Sequence, residues 1–475
     1  MTRLREPRRE VLEHVDALHG GQGSHRRSVQ RRAPYVPSLP PAEVHWTPRA
    51  IAWRVALSVV AATALAAVIG HGFVSLVLAP GTPSAVGVLV TGFGSIAMFY
   101  FVATVFHALR YRTIEAPTDG ELPTVTVIVP AFNEGAAVRV ALRSAIASDY
   151  PRAKLEILAI DDGSTDDTWE HIEEIAAEAP DLVIAIRQQP NGGKREALRT
   201  GFLRAMGDVV VTVDSDSKLH RHALRAIVAP MVRDAQVAAV AGRVLVLNRE
   251  ANYLTRLFSA RFFITFDLAR AAQSRFGAVL CTPGALSAYR MSAVRDVLEK
   301  WSTQTFLGQP CTIAEDRALT TWLLKDGHRS VYQRNAVVET LMPTTLSRAA
   351  RMLVRWERGN IREDLVMLPT LATRWRDRDQ WWPTLEILLE LVQYPIAWIG
   401  FALLAQRLIA EPTAIVTVVG LVVLSALVQT LYTLRSERTA DFFYGVGYAL
   451  FALVGLQWVF PYSLLTVRDG RWLTR

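Results

Sequence analysis

The stretch VVVTVDSDSKL, residues 209–219, joins a run of β-branched apolar residues to two carboxylates placed one residue apart. A strand buried on both faces reads as such a continuous apolar run, and the acids mark where it ends. The pattern recurs upstream. TVTVIVPAFNE (124–134) reads as a strand breaking at Pro130, and GAAVRVALRSAIAS (135–148) has helical spacing. LEILAIDDGSTDDT (155–168) is a strand running into acids and a turn, and WEHIEEIAAEA (169–179) is helical again. DLVIAIRQQP (181–190) adds a third strand, and GGKREALRTGFLRAM (192–206) a helix before the fourth. Short strands alternating with helices predict an α/β domain with a mostly parallel sheet covered on both faces. Ligands of such sheets bind at the carboxyl ends of the strands. AFNE, DDGS and DSDS all fall at those ends, so three loops converge on one crevice.

The chain has 475 residues, a net charge of +8 and 51% hydrophobic residues, too long for one small domain and more apolar than most soluble enzymes. Apolar runs at 55–79, interrupted only by His71, and at 86–109 predict two membrane helices before a long polar region. Three less clean runs, at 388–408, 414–434 and 442–467, follow it. A cleavable signal is not expected, because about fifty Arg-rich residues precede the first run. Ten arginines precede Val55, Arg110 and Arg112 follow the second run, and the loop between the runs, PGTPSAV, is uncharged. By the positive-inside rule the tail and the polar region are cytoplasmic. The basic excess then serves topology and attraction to an anionic leaflet, and no nucleic-acid partner is expected. Cys281 and Cys311 lie on the cytoplasmic side, where no disulfide is expected.

In extended backbone, residues i and i+2 share a face, so Asp214 and Asp216 would present two hard oxygen ligands together. Mg²⁺ or Mn²⁺ is held by one or two carboxylates plus substrate phosphates. An isolated D-x-D is more often a turn former. Here its companions change the weighting. TVIVPAFNE, AIDDGSTDDT, NGGKREAL and VDSDS, in that order, resemble the nucleotide-sugar half of an inverting family 2 glycosyltransferase with the GT-A fold. AGRVLVLNREANYLTRL, AAQSRFGAVLCTPGALSAYR, AEDRALTTWLLKDG, VRWERGNIRE and WLTR resemble the processive membrane synthases of hyaluronan or chitin oligosaccharides. The resemblance covers residues 124–363 and the C-terminus.

It implies a UDP-sugar donor, a growing polysaccharide acceptor and a bilayer around the membrane helices. Pro130, Asn133 and Glu134, with Asp161 and Asp162, would line the nucleotide side, where a carboxylate can accept from a uracil ring or a ribose hydroxyl. Lys194 and Arg195 follow paired glycines at a helix start, a setting that favours phosphate. Asp214 and Asp216 would hold the diphosphate through the metal, and Asp214 would also border the donor. Asp316 matches the family's base, which takes the acceptor's proton; without the other motifs it would read as an ordinary first-turn acid. Arg355 would meet the diphosphate and Trp356 would floor the acceptor sugar, with Cys281 beside it. Trp472 and Arg475 match a terminal gating motif near the nucleotide. Three positions depart from the pattern: Met352 stands where the family has Gln, Ala314 replaces Thr or Gly, and Leu473 replaces Gly.

The expected organisation is a disordered basic tail (1–50), two transmembrane helices (51–109), a cytoplasmic GT-A domain (110–345) and interfacial amphipathic helices with the R-W motif (346–383). C-terminal transmembrane or re-entrant helices (384–467) and the gating motif (468–475) complete a multi-pass protein of the plasma membrane. A re-entrant last run, carrying Gly445, Gly447, Gly455 and Pro461, would return the motif to the cytoplasm. Glu386 and Glu390 either begin a span at the interface or line a polymer channel. The resemblance points first to a hyaluronan-type synthase using UDP-glucuronate beside UDP-N-acetylglucosamine, with a chitin-type synthase using UDP-N-acetylglucosamine alone as the nearest rival; both share these motifs, so the motifs do not decide on UDP-glucuronate. An inactive membrane scaffold or transporter is the alternative from another class; it predicts a missing catalytic acid, and none is missing.

Overall fold

The computed structural model describes residues 84–374, 381–416, 418–420, 423 and 441–470. The basic tail, the first apolar run, most of the fourth, and Trp472 and Arg475 lie outside the described residues. The first described element is helix α1 (Ser84–Arg110). It leads into β1 (Val125–Ala131), α2 (Val138–Ile146), β2 (Leu155–Asp161), α3 (Thr168–Glu178), β3 (Val183–Arg187), α4 (Lys194–Arg204), β4 (Val209–Thr212) and β5 (Ser217–Leu219). The chain continues through α5 (Ala223–Arg233), β6 (Val237–Val246), α6 (Tyr253–Phe263), α7 (Arg270–Ser274), β7 (Ser287–Arg290) and α8 (Met291–Ser302). A hairpin of β8 (Thr305–Phe306) and β9 (Gln309–Pro310) precedes α9 (Glu315–Lys325), β10 (Arg329–Thr340), α10 (Leu346–Arg374), α11 (Trp381–Ala410), α12 (Asp441–Gly455) and α13 (Val459–Leu465).

Eight strands form one sheet in the order β3-β2-β1-β4-β7-β6-β10-β5. β1 to β4 run parallel to one another, β7 is antiparallel to β4 and β6, β10 is parallel to β6, and β5 closes the edge antiparallel to β10. Every residue of β1 is buried, and alternation splits its side chains between two cores. Val127 and Val129 pack beneath α2, α3 and α5, while Ile128 packs with Phe202 of α4 and Trp301 of α8 on the other face. The strand continues one residue past Pro130 instead of breaking there. Its ladder with β4 ends at Ile128, so the missing N–H costs nothing on that side.

Among the described residues, Gly92–Arg110 within α1 is long and apolar enough to cross a membrane. The halves of α11, Trp381–Gln393 and Trp398–Ala410, make a second such stretch if they form one span, bent by 43° where Pro395 interrupts the helix. The last apolar run is two helices, not one. α12 lies along α6, where the hydroxyls of Tyr444 and Tyr448 accept from Arg256 and Arg261 at 2.7 Å each. α13 packs on α10. The amphipathic stripe of α10, expected to face a membrane surface, turns toward the protein, and Ala349, Met352, Leu353 and Val354 join the main core.

Candidate active site

The loops after β1, β2 and β4 are tied to one another. Asn133 adopts a left-handed φ of 52°, and its Oδ1 accepts from the Thr165 backbone N–H at 2.9 Å and from the Thr165 hydroxyl at 3.3 Å. Glu134 Oε1 accepts from the Ser215 hydroxyl at 3.1 Å. Asp161 is fully buried, accepting from the Ser164 N–H at 3.2 Å and facing Arg187 at 3.3 Å. Asp162, also buried, accepts from the Gly192 N–H at 2.9 Å, from Asn191 Nδ2 at 3.0 Å and from Gln188. Burial holds its carboxyl above the ordinary range. Asp162 therefore fastens the glycine-rich loop leading to α4, and Asp161 ties the loop after β2 to the end of β3.

That loop delivers Lys194 as the first residue of α4, after Gly193 at φ 85°. Lys194 Nζ lies 2.5 Å from Asp214 Oδ1 and 2.9 Å from Glu315 Oε1. Burial alone would weaken the ammonium's hold on its proton, but Asp214, Glu315 and Asp316 together raise it. Burial likewise opposes ionisation of Glu315, yet Lys194 and, less strongly, Arg355 hold its carboxyl below the ordinary range. The opposite holds for Asp316, raised by burial and then by Glu315. Asp316 Oδ2 accepts from the Gly284 N–H at 2.8 Å, and Oδ1 from the Arg317 N–H at 2.7 Å. Pro130, Lys194, Asp214, Gly284, Glu315 and Asp316 border a cleft whose remaining walls are mostly apolar. Gly284 is a site residue that sequence reasoning missed. A Cβ there would lie 2.7 Å from Lys194 Nζ and 3.1 Å from Asp214 Oδ1, so a side chain at 284 would push the Lys194 ammonium from its place.

Two expectations need correction. Arg195 does not share the cleft with Lys194. One residue along a helix is a turn of about 100°, which carries its side chain onto α8. There it donates to the Trp301 carbonyl at 2.6 Å and lies 5.2 Å from the centre of the indole. Asp214 and Asp216 are not on extended backbone either. The Ser217 N–H donates to the Asp214 carbonyl at 3.0 Å, closing a turn in which Ser215 points inward to Glu134. Asp216 Oδ1 accepts from the Thr340 hydroxyl at 3.2 Å and the Ser217 hydroxyl at 3.3 Å. Both carboxylates remain partly solvent-accessible at the strand ends. As hard oxygen donors on a short, partly exposed turn, they fit Mg²⁺ or Mn²⁺.

Trp356 stands in an aromatic group with Phe262 and Phe266, at centroid distances of 6.1 and 6.4 Å. A π-helical turn, Ile264–Ala269, carries Phe266. Met352 lies one turn earlier on α10 and is buried in the core, so this chain has an apolar contact where the family pattern has a polar one. Desolvation and the charge of Asp316 push the Cys281 thiol up to about 12, leaving it neutral near that carboxyl. Just before the terminal motif, the Thr312 hydroxyl donates to the Gly470 carbonyl at 2.6 Å, and Arg358 Nη1 lies 3.3 Å from Asp469.

Residues 123–359 match the family model described as glycosyltransferase like family 2. Over 394 residues the chain is 32% identical to an N-acetylglucosaminyltransferase of Rhizobium leguminosarum bv. viciae, covering 81% of this chain and 90% of that one. Over 389 residues it is 31% identical to a hyaluronan synthase of Streptococcus pyogenes, with the same coverage of each. The chain belongs to glycosyltransferase family 2. Another N-acetylglucosaminyltransferase, of Azorhizobium caulinodans, is 29% identical and matched over 98% of its length. Among solved structures, a Pyrobaculum calidifontis mannosyltransferase in complex with GDP-Man and Mn²⁺ is similar, with a TM-score of 0.54 and 24% identity over 80% of this chain and 99% of that one. The sheet of this glycosyltransferase is thus the GT-A fold.

Proposed function

We propose that this glycosyltransferase moves N-acetylglucosamine from UDP-N-acetylglucosamine, with inversion, onto a growing β-linked glycan, and that synthesis is processive and coupled to export across the membrane holding it. The carrying observation is Asp316. Its carboxylate borders the cleft, its basicity raised by burial and by Glu315, and it is aimed by the Gly284 N–H. In this reading Asp316 takes the proton from the acceptor hydroxyl as that oxygen attacks the anomeric carbon. Lys194 and Arg355 offer positive charge to the diphosphate, and Trp356 gives an apolar face to the acceptor sugar. Asp214 and Asp216 would hold Mg²⁺ or Mn²⁺, which when bound neutralises charge on the departing UDP. The Mn²⁺ in the similarly folded mannosyltransferase supports a divalent ion.

The apolar stretches of α1 and α11 support a membrane protein with a cytoplasmic catalytic domain. The contacts of Thr466 and Gly470 with Arg358 and Thr312 support a re-entrant last run. A second reading adds UDP-glucuronate in alternation, favoured by the 31% identity to hyaluronan synthase.

Purified protein in proteoliposomes, given Mn²⁺ or Mg²⁺ and radiolabelled UDP-N-acetylglucosamine with and without UDP-glucuronate, separates these. Polymer from one donor, cut by chitinase, supports the first reading; polymer needing both, cut by hyaluronidase, supports the second. Absence of UDP release with either donor overturns both.

A further inference from the structure

We infer that Gly359 is a positioning residue for Asp316, acting through Ala314; the inference rests on the reading of Asp316 as the base. Ala314 precedes α9, whose first two residues are Glu315 and Asp316, and it holds a left-handed φ of 55°. An L side chain adopts that conformation only where its surroundings over-determine it. Three contacts do so. Arg362 of α10 donates to the Ile313 carbonyl. Trp301 Nε1 donates to the Glu315 carbonyl at 2.8 Å. Between these two carbonyls, the Ala314 methyl sits against the bare backbone of Gly359, where an added Cβ would overlap the Ala314 Cβ.

Gly359 and Arg362, three residues apart, share one face of α10, and Arg355 stands on the same face one turn back. That face therefore meets residues 313–315 along its length. Glycine is poorly suited to the middle of a helix. Its place at 359 is explained by the approach of Ala314, the residue that sets the direction in which α9 starts and hence where the Asp316 carboxylate points. A methyl at 359 would push Ala314 away and tilt the start of α9, moving Asp316 from the Gly284 N–H. On the donor side, Lys194 would lose some of its hold on Glu315 at the start of α9 but keep Asp214, so the donor groups should be disturbed less than Asp316.

The test uses the full-length protein in nanodiscs with UDP-N-acetylglucosamine and Mn²⁺. Gly359→Ala should lower kcat by about tenfold or more while UDP affinity falls less, since small misplacements of a reacting group cost that much. Amide exchange of the segments 283–286 and 313–317 should rise. The double variant Gly359→Ala/Ala314→Gly removes the opposing methyl and lets residue 314 keep its positive φ. It should restore the exchange pattern and bring kcat back to within about threefold of wild type. Wild-type kcat and exchange in Gly359→Ala would overturn the inference, as would a double variant no better than the single one. If the single variant does not fold, the same choice is made by the double variant, whose failure to fold or to turn over also overturns it. If the wild type itself releases no UDP, the reading of Asp316 falls instead, and the exchange comparison alone decides whether Gly359 sets the position of Ala314.

Discussion

The ammonium of Lys194 lies 2.5 Å from Oδ1 of Asp214, and the same nitrogen reaches Glu315 at 2.9 Å. One side chain thus joins the first residue of α4, the turn after β4 and the start of α9. Two acids on separate elements would otherwise face each other across Gly284.

Lys194→Met removes that cation while keeping the aliphatic stem. Thermal or urea unfolding should show a loss of about 1–3 kcal/mol, below the range for a fully buried pair because the two side chains stay 20% and 29% exposed. UDP-sugar affinity should fall about tenfold or more through the lost charge-assisted contact. Unchanged donor affinity in calorimetry would remove Lys194 from the phosphate side.

Asp316→Asn should reduce turnover by about 10²- to 10⁴-fold, the usual share of a general base. UDP binding should be nearly unchanged, because the Gly284 N–H can still donate to the amide oxygen. Parallel loss of both in the same titration would mean that the base lies elsewhere.

The pH dependence has a definite sign. A base works only when unprotonated, and burial together with Glu315 raises the Asp316 pKa. The acid limb of kcat should therefore lie above the range of an ordinary aspartate, about 3.9. Glu315→Gln takes away one cause of the shift and leaves Lys194 to act on the remaining acids, so the limb should move to lower pH. Movement to higher pH would contradict the electrostatics of the site.

The four parallel strands were legible because a buried strand needs an uninterrupted apolar run, and the acids of DDGS and DSDS mark where burial stops. The side-chain directions at those ends were not. Lys194 and Arg195 are neighbours in sequence, yet the helical twist sends one into the cleft and the other onto Trp301. Asp214 and Asp216 looked coplanar only while the chain was taken as extended, and one backbone hydrogen bond from Ser217 replaces that with a turn. Gly284 could not be found from its own neighbourhood, since the side chains it approaches come from α4 and from the turn after β4. The stripe of α10 gave its amphipathic character but not its partner, because apolar residues facing a sheet domain and facing lipid follow the same period.

Asp216→Asn should weaken UDP binding in the presence of Mn²⁺ and leave the weaker metal-free binding unaltered, because an amide is a poorer ligand for a hard cation. Chelation of divalent ions should reduce the wild type to the level of this variant. Equal UDP affinity of the wild type with and without metal would exclude the metal role of the pair.

Gly201 tests how the fold carries the site. It lies on the inner face of α4, where an added Cβ would stand 2.7 Å from the Ile128 side chain of β1 and 3.0 Å from Ile160 of β2. In an open helix, alanine would be favoured over glycine by about 1 kcal/mol. Against two fully buried isoleucines in a close-packed core, overpacking costs about 1–3 kcal/mol and reverses that preference. Gly201→Ala should therefore lower stability on balance. By lifting α4 from the sheet it should also draw Lys194 back from Asp214 and Glu315, raising KM for the donor more than it lowers kcat. A stabilised Gly201→Ala protein with wild-type KM would show that α4 is not seated on β1 and β2 through this glycine, and that the position of Lys194 is set by the loop before it instead.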